Sequence, residues 1–368
     1  MPQLSRVLIS GGGTGGHIFP AIAIADEIRR RNPAAEILFV GALERMEMDK
    51  VPAAGYNIIG LPIKGIQRSF TLKNLSVPFM ALRSVLRVRK AIRDFEPQIA
   101  IGVGGYASGP SLLACRMLGI PYVIQEQNSF AGLTNKWLAK GAKAICVAWP
   151  AMDRYFPADK IVFTGNPVRQ GFGLALHDVD IALRHFGLSR AKPVLFVTGG
   201  SLGALTINSA IAASAKLFAE AGIQVIWQTG KRFARDAEKL IYQGQIKGIY
   251  TNAFIDRMDL AYACADAVVA RAGALTISEL ALVQKPAILV PSPNVAEDHQ
   301  THNAKSLVSR QAAILVRDAQ AADMLFGTAQ ALLKNQAQKQ TMSSEIAKIA
   351  TPQATADIVN QLEAHAKA

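Results

Sequence analysis

The sequence predicts an α/β chain of two doubly wound domains, each a parallel sheet covered by helices. Three observations predict it. Short apolar, β-branched runs alternate with helical spacing along all 368 residues, as in strands buried on both faces. One strand–glycine–helix text occurs twice, as VLISGGGTGGHIFPAIAIADEI from Val7 and as VLFVTGGSLGALTINSAIAASAKL from Val194. The length, with 50% hydrophobic residues, is enough for two cores rather than one.

In the first half, strands are expected at Val7–Ser10, Ile37–Gly41, Ile58–Ile63, Ile99–Val103, Tyr122–Gln125 and Ala144–Ala148. In the second they are expected at Val194–Thr198, Gln224–Thr229, Ile249–Phe254, Ala267–Ala270, Ala287–Pro291 and Ala313–Val316. The repeat opens each half, which makes both Rossmann-like. Gly165, Asn166 and Pro167 break the pattern. The expected division is therefore 1–164, 165–345 and a helical tail, 346–368, interrupted at Pro352. Ligands in such sheets lie beyond the carboxyl ends of the strands, so two facing domains should form a cleft.

The N-terminus shows no secretory pattern, and no apolar run approaches the ~18–20 residues of a membrane span. Cys115, Cys146 and Cys264 have no metal or disulfide spacing and fit core packing in a reducing compartment. The net charge of +13 points to an anionic partner. Nucleic acid is disfavoured, because the basic residues are interleaved with aliphatics and no RRM, KH or zinc pattern occurs.

GGGTGG contains G-x-G-x-x-G at Gly11, Gly13 and Gly16, between a strand and a helix, where backbone N–H groups can meet a phosphate. A nicotinamide enzyme also needs an acid at the end of the second strand. Gly41 and Ala42 stand there instead, and Glu44 comes late. His17 follows the glycines at the first helical turn. The positive helix end favours its neutral form, as a general base requires. In the second copy, Gly199, Gly200 and Gly203 should leave backbone donors free and Ser201 adds a hydroxyl, a pyrophosphate cradle. Further on, RAGALTISELA places Ala274–Glu279 in the first turns of a helix, with Glu279 able to accept from a ribose diol. EDHQTHNA supplies His299, Gln300, His302 and Asn303; no acidic cluster beyond Glu297 and Asp298 completes a metal site there, and an amide such as Gln300 suits sugar hydroxyls. Asp178–Asp180 reads as a helix cap rather than a D-x-D metal holder.

Together GGTGGHIFPAIAIA, GGYASGP, EQNSFAGLTNKWLAK, GNPVR, GGSLGA, FIDRM, RAGALTISELA and HQTHNA resemble the MurG family of peptidoglycan glycosyltransferases, in order from residue 11 to about residue 304. The family often has a histidine before EQN; here Gln125 stands there, so no role of that histidine carries over. The resemblance implies the two-domain GT-B architecture and an inverting transfer of N-acetylglucosamine from UDP-N-acetylglucosamine. The implied acceptor is the C4 hydroxyl of a polyprenyl-pyrophosphoryl-muramyl-pentapeptide, with no cofactor and no metal. In the C-terminal half, Ser201 would hold the diphosphate and Ile255 would meet uracil through its backbone. Ala274, Leu275 and Thr276 would pack on the nucleotide, Glu279 would hold the ribose and Gln300 the sugar. Thr14, Gly15, Gly16, Asn128 and Arg169 would close the site from across the cleft. His17 and Glu126 are both candidates for the base. The alternatives are a nicotinamide oxidoreductase, weakened by the missing acid, a nucleic-acid binder, and a related transferase using another lipid acceptor such as diacylglycerol.

Residues 51–93 contain no Asp or Glu and carry Lys64, Arg68, Lys73, Arg83, Arg87, Arg89, Lys90 and Arg93. Ala81, Val85, Val88 and Ile92 should face the sheet. Ile66 and Phe70, with the basic face, are expected to dock on the anionic cytoplasmic face of the bacterial inner membrane, where the implied acceptor is anchored.

Overall fold

The structure, a computed structural model, describes residues 3–63, 77–168, 178–295 and 298–367. The chain divides into two compact units: Met1–Arg169 together with Thr351–Ala368, and Gln170–Ala350.

The first unit holds a seven-stranded sheet, with β1 Arg6–Ser10, β2 Glu36–Ala42, β3 Asn57–Leu61, β4 Ile99–Gly102, β5 Tyr122–Glu126, β6 Ala144–Val147 and β7 Ile161–Phe163. Its order is β3-β2-β1-β4-β5-β6-β7, and every pairing is parallel. The helices of its N-terminal part are α1 Gly15–Arg31, α2 Glu47–Ala53, α3 Val77–Phe95, α4 Ser108–Met117 and α5 Leu133–Leu138. Alternation along β1 divides the core. Val7 and Ile9 pack with Ile18, Ile24 and Ile28 of α1, whereas Leu8 packs with Val85, Val88 and Ile92 of α3 and with Leu112 of α4. The edge strand β7 is absent from the sequence reading: it has three residues, none buried, and Phe163 is exposed, so it carries no burial pattern to recognise.

The second unit holds α6 Val179–Phe186, β8 Val194–Thr198, α7 Leu205–Glu220, β9 Gln224–Gln228, α8 Ala234–Gln243, β10 Ile249–Asn252, α9 Met258–Cys264, β11 Ala267–Ala270, α10 Ala274–Val283, β12 Ala287–Leu289, α11 His299–Val308, β13 Ile314–Leu315, α12 Ala321–Lys334 and α13 Gln336–Ala347. The six strands run β10-β9-β8-β11-β12-β13, again parallel throughout. Leu195 and Val197 of β8 meet Ile207, Ile211 and Phe218 of α7. Asp178 caps α6, its Oδ1 accepting from Ile181 N at 3.0 Å. Each sheet reverses its winding beside its first strand, between β1 and β4 and between β8 and β11. In open α/β sheets that is where ligands bind.

The terminal helix α14, Ala354–His365, corrects the expectation of a separate tail. From Thr351 on, the chain is part of the first unit. Ile358, Val359 and Leu362 are fully buried in the core under α1. Arg31 of α1 fastens the helix, donating to Asn360 Oδ1 at 2.8 Å, Glu363 Oε2 at 2.9 Å and Ala356 O at 3.0 Å. Arg31 also bonds Glu27 at 2.9 Å. Hydrogen bonds from Arg30 and then Arg31 hold the Glu27 carboxyl down at about 2. Arg31→Ala is expected to cost about 1.5–3 kcal/mol, the range for hydrogen bonds to charged groups. It should speed amide exchange across residues 354–365. Unchanged exchange there would show that apolar packing alone holds the helix.

Candidate active site

In the first unit, the loops after β1 and β4 lie directly on each other. Gly105 has φ +88°, and a Cβ on it would collide with the backbone of Gly12. Gly104, φ +96°, leaves room for an imidazole: a Cβ there would stand 2.7 Å from Cδ2 and 2.8 Å from Nε2 of His17. The glycines of GGYASGP thus seat the His17 ring. Thr14 is the extended N-cap of α1; Thr14 and Gly16 are exposed, and Gly15 is half-buried. The first helical N–H groups have no intrahelical acceptor, so these residues can donate to an anion.

His17 is half-buried. Its Nδ1 lies 3.1 Å from Gly12 O and 3.3 Å from Thr14 Oγ1. A carbonyl oxygen only accepts, so Nδ1 carries the proton and Nε2 keeps its lone pair. Burial pushes the imidazole below its ordinary 6.5; the carboxyl of Glu126, the Gly12 carbonyl and Glu47 pull the other way. The direction is the expected one, but its chief cause is burial rather than the helix end.

Glu126 is built differently. Its Oε1 accepts from Asn128 N at 3.1 Å and Asn128 Nδ2 at 3.4 Å. Its Oε2 accepts from Gly132 N at 3.0 Å and Asn135 Nδ2 at 2.8 Å. Both oxygens hold the turn into α5, and Asn128 is held with them. Gln125 is fully buried, donating to Asn166 Oδ1 at 3.1 Å and accepting from Gln127. It is a strut between β5 and the GNP turn. Arg169 lies outside the described residues.

In the second unit, the loop after β8 lies on the loop after β9. Gly203, φ +77°, has no room for a Cβ against Thr229 O. The expectation that this loop's glycine donors stay free is corrected. Gly200 N donates to Thr198 Oγ1 at 3.1 Å and Gly203 N to Gly200 O at 3.1 Å, because a loop this tight closes on itself. Half-buried Ser201 lies in this loop, four residues ahead of α7. Gln228, at the end of β9, joins three loops. Its Nε2 donates to Thr198 Oγ1 at 3.0 Å and Gly200 O at 3.1 Å, and its Oε1 accepts from Ile255 N at 2.9 Å. The Ile255 N–H is therefore engaged.

After β11, Gly273 is the N-cap of α10. Ala274 is buried and Leu275 and Thr276 are half-buried on the helix's first turn. Glu279 accepts from the hydroxyl of buried Tyr262 at 3.1 Å. Gln300 Oε1 accepts from Ser292 N at 2.9 Å, which fixes the side chain with Nε2 as its other polar end. Ser201, Ile255, Ala274–Thr276, Glu279 and Gln300 thus all lie in or just after the loops that follow the strands' carboxyl ends. Among the described residues, no group of three His, Cys, Asp or Glu gathers as a metal site.

The sequence reading misses Glu47, Gln127, Gln228 and Tyr262. Gln228 carries a signal, a polar residue ending an apolar strand before a glycine turn. Buried Glu47 carries none, since an acid in the first turn of a helix ordinarily faces solvent.

Two Rossmann-like parallel-sheet units, each with a glycine loop at its winding reversal, are the architecture of the two-domain GT-B class. Residues 7–147 match the glycosyltransferase family 28 N-terminal domain and residues 194–362 the family 28 C-terminal domain. The chain belongs to glycosyltransferase family 28. It is 54% identical over 358 residues, 97% of this chain and 94% of the relative, to the UDP-N-acetylglucosamine–N-acetylmuramyl-(pentapeptide) pyrophosphoryl-undecaprenol N-acetylglucosamine transferase of Porphyromonas gingivalis. The enzyme of that name from Bacteroides thetaiotaomicron is 50% identical, with 98% of each chain covered. Among solved structures, Acinetobacter baumannii MurG superposes with TM-score 0.74 at 29% identity, covering 98% of this chain and 99% of that one. A UDP-GlcNAc 2-epimerase from Neisseria meningitidis, bound to UDP-GlcNAc, shares the fold, with TM-score 0.66 at 14% identity and 97% and 99% covered.

Proposed function

We propose that this protein transfers N-acetylglucosamine from UDP-N-acetylglucosamine to the C4 hydroxyl of undecaprenyl-pyrophosphoryl-N-acetylmuramyl-pentapeptide, with inversion. The observation that carries the reading is the 54% identity to a transferase of that name over 97% of the chain. The same scaffold also serves an epimerase, so fold alone does not choose the reaction.

His17 acts as the base. Its Nε2 lone pair takes the proton of the C4 hydroxyl as that oxygen attacks the anomeric carbon and the bond to the diphosphate oxygen breaks. Glu126 is the weaker candidate, because its oxygens already accept from Asn128, Gly132 and Asn135. The charge arriving on UDP is met by Ser201 and the N-terminus of α7. Glu279, steadied by Tyr262, holds the ribose. With its N–H on Gln228, Ile255 offers uracil its carbonyl. Gln300 meets the sugar through Nε2. Thr14, Gly15 and Gly16 face the acceptor diphosphate, and with Asn128 they close the site around the sugar.

We place the enzyme peripherally on the cytoplasmic face of the inner membrane. No described helix is long and apolar enough to cross a membrane. On α3, Val85, Val88 and Ile92 are buried as expected, while Leu82, Arg83, Leu86, Arg87, Lys90 and Arg93 are exposed. Leucines beside arginines on one open face suit an anionic leaflet, at about 1 kcal/mol per charge. Ile66 and Phe70 lie outside the described residues.

The deciding assay is transfer of labelled N-acetylglucosamine from UDP to the lipid-linked muramyl-pentapeptide, with diacylglycerol as control. Transfer to diacylglycerol alone would reassign the acceptor. His17→Ala is expected to lower turnover by about 10²–10⁴, the range for a lost general base, with UDP affinity kept. Because burial lowers the imidazole pKa, neutral His17 persists to lower pH. The acid limb of kcat should then lie below the ordinary ~6.5, and near wild-type turnover without the imidazole would remove His17 from the chemistry. Glu279→Ala should weaken UDP binding by roughly 10- to 150-fold, the loss of a charge-assisted bond of ~1.5–3 kcal/mol; unchanged affinity would take it out of the site. Leu82 and Leu86 to Ser with Arg83 and Arg87 to Glu should abolish salt-sensitive binding to anionic vesicles while UDP binding persists. Equal vesicle binding by both proteins would rule out this face.

A further inference from the structure

Glu47 is fully buried at the start of α2, directly beneath the GGGTGG loop. Its Oε2 accepts from Gly13 N at 2.9 Å and its Oε1 from Ala42 N at 3.0 Å. Two glycines make room for it: a Cβ on Gly12 would collide with its carboxylate, and one on Gly41 would stand 2.6 Å from its Cγ. The acid missing from the end of β2 is thus supplied from the following helix, and it faces the glycine loop instead of a ribose.

The N–H of Gly13 and the C=O of Gly12 belong to one peptide group. Among the described residues there is no cis peptide, so the two dipole ends of this one point in opposite directions. On one side the N–H meets Glu47; on the other the C=O meets His17 Nδ1 at 3.1 Å. We propose that Glu47 is a positioning residue that acts on His17 through the Gly12–Gly13 peptide, fixing the Nδ1–H tautomer and sustaining the basicity of Nε2. The physics is cooperative: a carboxylate on the N–H polarises the amide and makes its oxygen a stronger acceptor for the imidazole proton. Groups behind a working imidazole characteristically set its tautomer and basicity. The other groups acting on the ring are Thr14 Oγ1, at 3.3 Å from Nδ1, and Glu126, whose charge reaches it from the end of β5.

The inference rests on His17 being the base, but its first test does not. In ¹⁵N-histidine NMR of the full chain, His17 should show a protonated Nδ1 and a bare Nε2. Glu47→Gln keeps the shape, yet turns an N–H toward either Gly13 N–H or Ala42 N–H. It is expected to shift His17 toward the Nε2–H form, to move the acid limb of kcat to lower pH, and to reduce kcat about 10- to 100-fold. The KM for UDP-N-acetylglucosamine should not change. Glu47→Asp, which keeps the charge one methylene farther away, should retain more turnover than Glu47→Gln. A bare Nδ1 in the wild-type protein overturns the proposal, even if the Gln variant does not fold. An unchanged tautomer and pH limb in a folded Gln variant overturns it as well, leaving Glu47 a packing residue. If His17→Ala keeps its turnover while the tautomer follows Glu47, the base assignment fails and the coupling stands.

Discussion

The first unit depends on one close approach: the loop after β4 lying on the loop after β1, with Gly105 against Gly12. That contact needs two residues without side chains at positive φ, and it brings the winding reversal to a point. His17 has its place because Gly104 leaves the imidazole a flat wall. Ser108 ties the same corner, its hydroxyl lying 2.9 Å from both Ser10 O and Gly104 O and able to donate to either. Glu47 then fills the space under the loop. A side chain at any of these glycines would move the histidine, not just the loop.

The second unit uses the same device on a different neighbour. There the β8 loop lies on the β9 loop, Gly203 against Thr229 and Gly230 against Leu202 O. Asn208 of α7 fixes the partner loop, donating to Thr229 O at 2.7 Å while accepting from Trp227 Nε1 at 3.0 Å. The side of the reversal facing β11 is left to Gly273 and the small residues that open α10. The two copies of one motif thus rest on different neighbours, the first on the β4 loop and the second on the β9 loop.

The strands were legible because the sheets are parallel and covered. Each was a bounded apolar run, so all twelve expected spans agree with the observed ones to within about two residues at either end, the usual scatter of such boundaries. The glycine loops and His17 were legible because their spacing is local. What failed to show has nonlocal causes. Strand β7 is too short and exposed to carry a pattern. The return of α14 to the first unit depends on Arg31 meeting residues more than 300 positions away, which no local window contains. Glu47 and Gln228 are polar groups whose partners include backbone atoms of loops distant in sequence, Gly13 N for the one and Gly200 O and Ile255 N for the other. Gln125 could be recognised as a departure from a family pattern, but its role as a strut required seeing Asn166 beside it.

Glycine-rich loops at helix starts are usually read as sets of free N–H donors. In this protein the glycine N–H groups of both loops are largely engaged inside the fold: Gly11 with Val40 O, Gly13 with Glu47, Gly200 with Thr198 and Gly203 with Gly200 O. The glycines therefore serve close approach, and the donors left for an anion are those of the adjoining helix ends. The two loops differ in what lies beneath. Under the first is a carboxylate, which disfavours a phosphate held deep in the loop and favours an imidazole proton pulled toward the loop's carbonyl. Under the second is Gln228, a neutral amide that holds the loop without opposing a diphosphate. A histidine gains from the first arrangement and would gain nothing from the second. On the proposed coupling, that asymmetry would account for a histidine at the end of only one of the two copies.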